Sequence, residues 1–132
     1  MNSSEPEPEP EPPSNDQPGG DADLARPDGS GNEGPWSLAA KNSRVQKSWR
    51  ELCRETPQDA VRCYDWLKAQ ANKRHPKRCF PLRGKLYNGH WEYEIGGGNR
   101  VFYRPDQKSM KAVVWYAGKH PKGSIPAPPK DL

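Results

Sequence analysis

Hydrophobic spacing changes once along this chain, and that change sets what it can fold into. From Val45 to Ala71 apolar residues return at helical intervals, and from Trp91 to Ala117 they return at every second position. The first period builds an amphipathic helix and the second a half-buried strand. Val45, Trp49, Leu52 and Cys53 fall at i, i+4, i+7 and i+8 behind Ser43, which reads as an N-cap, so a first helix should end near Glu55. Thr56-Pro57 opens a second helix. Threonine caps, proline suits the first helical position, and Asp59 completes a T-x-x-D pattern. Its stripe is Ala60, Cys63, Tyr64, Leu67 and Ala71, and His75-Pro76 stops it. So short a connection predicts an antiparallel helical hairpin.

Beyond Cys79, Trp91, Tyr93 and Ile95 alternate with Glu92 and Glu94, and Gly96–Asn99 marks a turn. Val101 and Tyr103 then alternate with Arg100, Phe102 and Arg104, and a second turn follows at Pro105–Ser109. Lys111–Ala117 is apolar on both faces, as a central strand is. Pro35–Lys41 offers a further strand along a sheet edge. The expected class is α+β, with two N-terminal helices packed on a small antiparallel sheet of three or four strands.

A chain of 132 residues holds one small domain. Its charge is split. Residues 1–35 carry nine acids and one base, a net charge of −8, and no aromatic residue or cysteine. The other 20 bases and eight acids leave +12 on the remainder. Glu5–Pro12 is an alternating Glu-Pro repeat, which stays extended and cannot bury a core. Residues 1–35 therefore read as a disordered acidic tail, 36–123 as the domain, and 124–132 as a disordered proline-rich tail. The acidic tail either solubilises the protein or folds back over a basic site. With no apolar signal-peptide segment or membrane span, a cytoplasmic protein with reduced thiols is expected. Cys53, Cys63 and Cys79 form no CxxC pair, and His75 with Cys79 lacks a second pair of suitable spacing, so no metal or other cofactor is expected.

The bases cluster at Lys73–Arg78, at Arg83 and Lys85, at Arg100 and Arg104, and at Lys119, His120 and Lys122. Such a surface either binds a polyanion or merely keeps the protein soluble. Interleaved Tyr87, Phe102 and Tyr116 suit stacking on unpaired bases. Within Val113–Gly123, an apolar strand hands over directly to Gly-Lys-His-Pro-Lys. A histidine there, opposite arginines, provides acid–base chemistry beside cations that hold a phosphate. Cleavage of RNA by its own 2′-hydroxyl needs such groups and no metal.

Two helices followed by Leu82-Arg83-Gly84, then Trp91–Tyr103, then Ala112–Lys122 resemble the RelE/ParE superfamily of bacterial type II toxins over residues 36–123. The resemblance implies helices on an antiparallel sheet, and, in RelE-like members, a metal-independent, ribosome-associated endonuclease. Such an enzyme cuts mRNA in the ribosomal A site by 2′-hydroxyl attack, leaves a 2′,3′-cyclic phosphate and inhibits translation. By position, Arg100 would hold the scissile phosphate and His120 would act as general acid or transition-state stabiliser. Glu94 would be the carboxylate base, with Arg83, Lys85, Arg104, Lys119, Lys122 and Tyr103 contacting RNA or phosphate. Two departures stand out. Glu92 and Glu94 lie where one type carries lysines, and they either act as a base or pair with Arg100 and Arg104 across the hairpin. The late tyrosine of some relatives is missing, which leaves Tyr103 and Tyr116 as substitutes. The implied partners are a cognate antitoxin and mRNA on the ribosome, with no membrane. A ParE-like gyrase-binding toxin and a non-catalytic RNA- or partner-binding relative remain as alternatives.

Overall fold

Asn42, and not Ser43, starts the first helix. Its side chain accepts the Val45 amide at 3.0 Å, the usual work of an N-cap. This computed structural model describes residues 22–24, 26–27, 34–123, 125–130 and 132. Helix α1 spans Ser43–Glu55 and helix α2 spans Pro57–Gln70. Thr56 does not cap α2 with its side chain; its hydroxyl donates to the Leu52 carbonyl at 3.0 Å and closes α1 instead. Asp59, expected in the capping pattern, pairs with Arg62 at 3.2 Å. Helix α2 stops at Gln70, ahead of the expected His75-Pro76.

The strands are β1 (Ala22–Asp23), β2 (Ser37–Ala40), β3 (Cys79–Pro81), β4 (Trp91–Gly96), β5 (Asn99–Asp106) and β6 (Lys111–Lys119). They form one six-stranded sheet in the order β1-β2-β6-β5-β4-β3. The expected small antiparallel sheet is corrected here in size and direction. β2 runs parallel to β6, with Ser37 opposite Lys111 and Ala40 opposite Val114. A strand also precedes the helices, so the chain does not open on two helices. β6 lies inside the sheet, as its two apolar faces require.

β2 is not the edge. Ala22 and Asp23 pair antiparallel with Ala40 and Ala39. Leu24 enters the core, and Arg26 makes a two-pronged pair with Asp65 of α2 at 3.1 Å. The expectation of disorder up to residue 35 therefore fails at these positions. One apolar side chain, one ion pair and the Gln46 amide on the Asp23 carbonyl hold the segment down. The Glu-Pro repeat at 5–12 lies outside the described residues. At the other end lies the tail expected over 124–132, of which residues 125–130 and 132 are described. Ile125–Lys130 has no regular secondary structure, yet the Ile125 carbonyl accepts the Tyr87 hydroxyl at 2.6 Å.

Both helices pack on one face of the sheet. Trp49, Leu52, Ala60, Cys63 and Leu67 meet Tyr93, Ile95, Val101, Tyr103, Ala112 and Val114 in a continuous core. Each large side chain so buried contributes about 1.5–3 kcal/mol. The three cysteines are free thiols, and burial pushes Cys53 and Cys79 up to about 11. The β4–β5 turn uses Gly96, Gly97 and Gly98, all with positive φ, which explains the glycine run.

Candidate functional site on the open face of the sheet

The sheet face turned away from the helices collects most of the sequence's chemistry. β5 sends Arg100, Phe102 and Arg104 to it, because alternate residues share a face and Val101 and Tyr103 belong to the core. β4 sends Glu92 and Glu94, which lie opposite Phe102 and Arg100. β6 would alternate strictly, but the register slips between Phe102 and Tyr103, where Trp115 is the extra residue. Trp115 and Tyr116 therefore both stack on Phe102, with ring centroids at 5.3 and 5.1 Å.

Arg100 is the centre of charge. Its Nε lies 2.8 Å from Glu92 Oε2, and Nη2 lies 3.8 Å from Glu94 Oε2. The closer contact is a short, part-buried ion pair. Nη1 donates to the Asn99 carbonyl at 3.0 Å. Gly118 stands opposite Arg100 with φ near 150°, and a Cβ there would meet the Tyr116 hydroxyl at 3.8 Å. Glu92 is buried, and that burial raises its pKa against the lowering pull of Arg100. The His120 charge adds a smaller lowering pull, and the imidazole Nδ1 itself lies 2.9 Å from the Pro121 carbonyl oxygen. The His120 amide donates to Gly98 at 2.8 Å, so the residue after β6 is held beside the β4–β5 turn.

A second group lies toward Arg104. Trp115 Nε1 donates to His90 Nδ1 at 3.0 Å, and the rings meet edge to face. Burial, and then the Arg104 charge, lower the His90 pKa. Arg104 donates to the main-chain oxygen of Leu132.

Arg100, Glu94 and His120 thus come to one face, with Arg104 farther along it. Arg83 and Lys85 are exposed on the 82–90 loop and are not strand residues; Lys85 begins a short 3-10 turn, Lys85–Tyr87. Lys122 is exposed in the turn after β6. Lys119 lines a cleft on the helix side with Glu51 and Glu55, across the sheet from Arg100. Tyr103 is corrected outright. It is fully buried, its hydroxyl bonds to Ala71 and Cys79, and it cannot contact RNA. Of the two carboxylates, Glu92 is nearer to Arg100 than Glu94 and more buried. Alternation marked both; the register sets Glu94 opposite Arg100, yet the guanidinium reaches diagonally to Glu92. His90 and Trp115 were missed. Trp115 shows itself through a bulge that no sequence spacing signals. Among the described residues, no group of three or more His, Cys, Asp or Glu side chains is placed to hold a metal ion.

No protein-family profile matches the chain, and no curated protein matches it by sequence. Solved structures do. A YoeB/ParE toxin from Agrobacterium tumefaciens superposes with a TM-score of 0.50 at 17% identity, over 63% of this chain and 97% of that one. The fold is that of a RelE/ParE toxin. Two further structures overlap less closely. The RelBE2 toxin–antitoxin complex from Mycobacterium tuberculosis gives 0.45 at 17% identity, over 65% of this chain and 99% of that one. The YoeB–YefM complex from Staphylococcus aureus gives 0.48 at 10% identity, over 64% and 97%. The match with the Agrobacterium toxin thus takes in nearly the whole of that protein and about two-thirds of this chain.

Proposed function

We propose that this chain is the toxin of a toxin–antitoxin pair and a metal-independent, ribosome-associated mRNA endonuclease working on the open face. The observation that carries the reading is the pairing of Arg100 with the buried Glu92 on that face, beside the β4–β5 turn to which the His120 amide is tied. Arg100 holds the scissile phosphate and the charge that builds on it. Glu92, its pKa raised by burial, takes the proton of the attacking 2′-hydroxyl. His120 protonates the leaving 5′-oxygen, which leaves a 2′,3′-cyclic phosphate. Glu94, the base expected from the resemblance, instead shares in neutralising Arg100. The exposed Arg83, Lys85 and Lys122 draw the strand in from a distance. A cognate antitoxin that covers this basic face and a cytoplasmic site of action belong to the same reading. In support, among the described residues no helix is long and apolar enough to cross a membrane.

The test is a cell-free bacterial translation reaction with purified protein and primer extension on the mRNA. Wild type should create new ends inside codons. Arg100→Ala, His120→Ala and Glu92→Gln should each lower their yield by about 10²–10⁴-fold, the usual scale for an acid–base group. Equal cleavage by wild type and all three variants would remove the mechanism. One observation favours a second, binding-only reading: two carboxylates already face Arg100 and compete with a phosphate. RNA binding without new ends would select it. Inhibition of purified gyrase in a supercoiling assay, with no cleavage, would select the ParE-like alternative.

A further inference from the structure

Several side chains on the open face are shielded from water with no helix above them. Phe102 is fully buried, and His90, Glu92 and Trp115 are 5, 6 and 7% exposed. Both helices pack on the other face, with Val101 and Tyr103. Among the described residues, two segments reach over this side. One is the 82–90 loop, through His90 on Trp115 and Gly89 beside Arg104. The other is the chain after β6.

That second segment is held near both of its ends. The Tyr87 hydroxyl donates to the Ile125 carbonyl at 2.6 Å, and the Arg104 guanidinium donates to the main-chain oxygen of Leu132. Ile125, Pro128, Pro129 and Leu132 are half-buried, while Pro126, Ala127 and Lys130 are exposed. Half-burial that recurs at 125, 128–129 and 132 is what a left-handed polyproline helix, with about three residues per turn, gives when one edge is docked. The three prolines fix φ in advance, so the segment loses little entropy on docking. At about 3.1 Å per residue it spans roughly 20 Å, the length of an ordinary strand.

We propose that Ile125–Lys130 with Leu132 is an intramolecular strap that covers the Phe102–Trp115–Arg104 end of the open face and withholds it from ligands. Docked, it engages Arg104 and leaves Phe102 and Trp115 unable to stack on a base. Lifted, it opens an arginine and an aromatic group in line with Arg100. That the withheld ligand is a single-stranded RNA rests on the reading above; the strap itself does not.

The test keeps the full chain. Pro126→Gly/Pro128→Gly/Pro129→Gly gives the lifted strap more conformations, and Tyr87→Phe removes one anchor while keeping its ring. Neither touches an α-helix or a strand. Accessibility of Trp115 is read by acrylamide quenching, as the difference from the same protein carrying Trp115→Phe. Binding of a fluorescent single-stranded RNA oligonucleotide is read by anisotropy. The strap requires a severalfold rise in Trp115 quenching in both variants and an RNA affinity about tenfold higher in the triple variant. Unchanged quenching in both overturns it. Higher quenching with weaker RNA binding overturns the withholding, because the strap would then be part of the binding surface. Higher quenching with no RNA bound by any form supports the strap and removes the RNA reading.

Discussion

Taking one oxygen from Tyr103 separates a core role from a ligand role. The ring is fully buried, so Tyr103→Phe keeps the packing and removes only the hydroxyl. That hydroxyl donates to the Ala71 carbonyl at 2.7 Å and meets Cys79 Sγ at 3.0 Å. Ala71 closes α2, and its carbonyl is one of the helix-end acceptors with no partner inside the helix. Left unmet in the core, such a carbonyl costs about 1–3 kcal/mol. The thiol is a weak donor and acceptor and adds little. A loss of about 2 kcal/mol is therefore expected. With a urea slope of about 1–3 kcal/mol/M, the unfolding midpoint should fall by roughly 1 M while the slope stays constant. Urea titration followed by far-ultraviolet circular dichroism reads it on the full chain. A midpoint within about 0.2 M of wild type would refute the reasoning, since no unmet acceptor would then exist. RNA affinity, measured below the transition, should be unchanged. A selective loss of binding would return Tyr103 to the ligand surface.

His90 should make the protein less stable in mild acid. Burial and Arg104 lower its folded pKa below the unfolded value, so its contribution is intact above about 6.5 and is lost as pH falls through the folded value. Protonation also removes the acceptor of the Trp115 indole, so emission from Trp115 should shift to the red over the same range. In His90→Gln both effects should flatten; an unaltered pH slope would show that another group carries them. Leu24→Ala tests the first strand. Burial alone predicts a loss of about 2–5 kcal/mol, and a two-residue edge strand that can shift inward predicts the lower end, read by thermal or urea unfolding. A change under about 0.5 kcal/mol would mean that the strand is not docked in solution.

Where a rule acts between near neighbours, the sequence carried the structure. Alternation placed Trp91, Tyr93 and Ile95 on one face and Glu92 and Glu94 on the other, and the helical stripes of α1 and α2 became the core. Alternation also set Tyr103 beside Val101 and away from Arg100. Its reading as an RNA contact came from the resemblance and not from the pattern. Asn42 and Ser43 are both capping residues, and only the path of the turn decides which oxygen reaches Val45. β1 was invisible because Leu24 has no apolar neighbour larger than alanine in an acidic, proline-rich stretch, and its pairing depends on β2 being present. The contacts of Ile125 and Leu132 with Tyr87 and Arg104 depend on a loop and a strand far away in sequence. No local period encodes them.

The parallel pairing of β2 with β6 has a consequence during synthesis on the ribosome. Ser37 meets Lys111 only after the helices and three other strands have been made. Such a closure spans most of the domain and carries a large entropic cost before any contact rewards it, so it should be among the last events of folding. Until β6 emerges, β2 can hold β1 on one side but has an open edge on the other. The nascent chain therefore cannot assemble the open face, whose aromatic pair Trp115 and Tyr116 is itself on β6. The open face is therefore complete only once the last strand has left the exit tunnel.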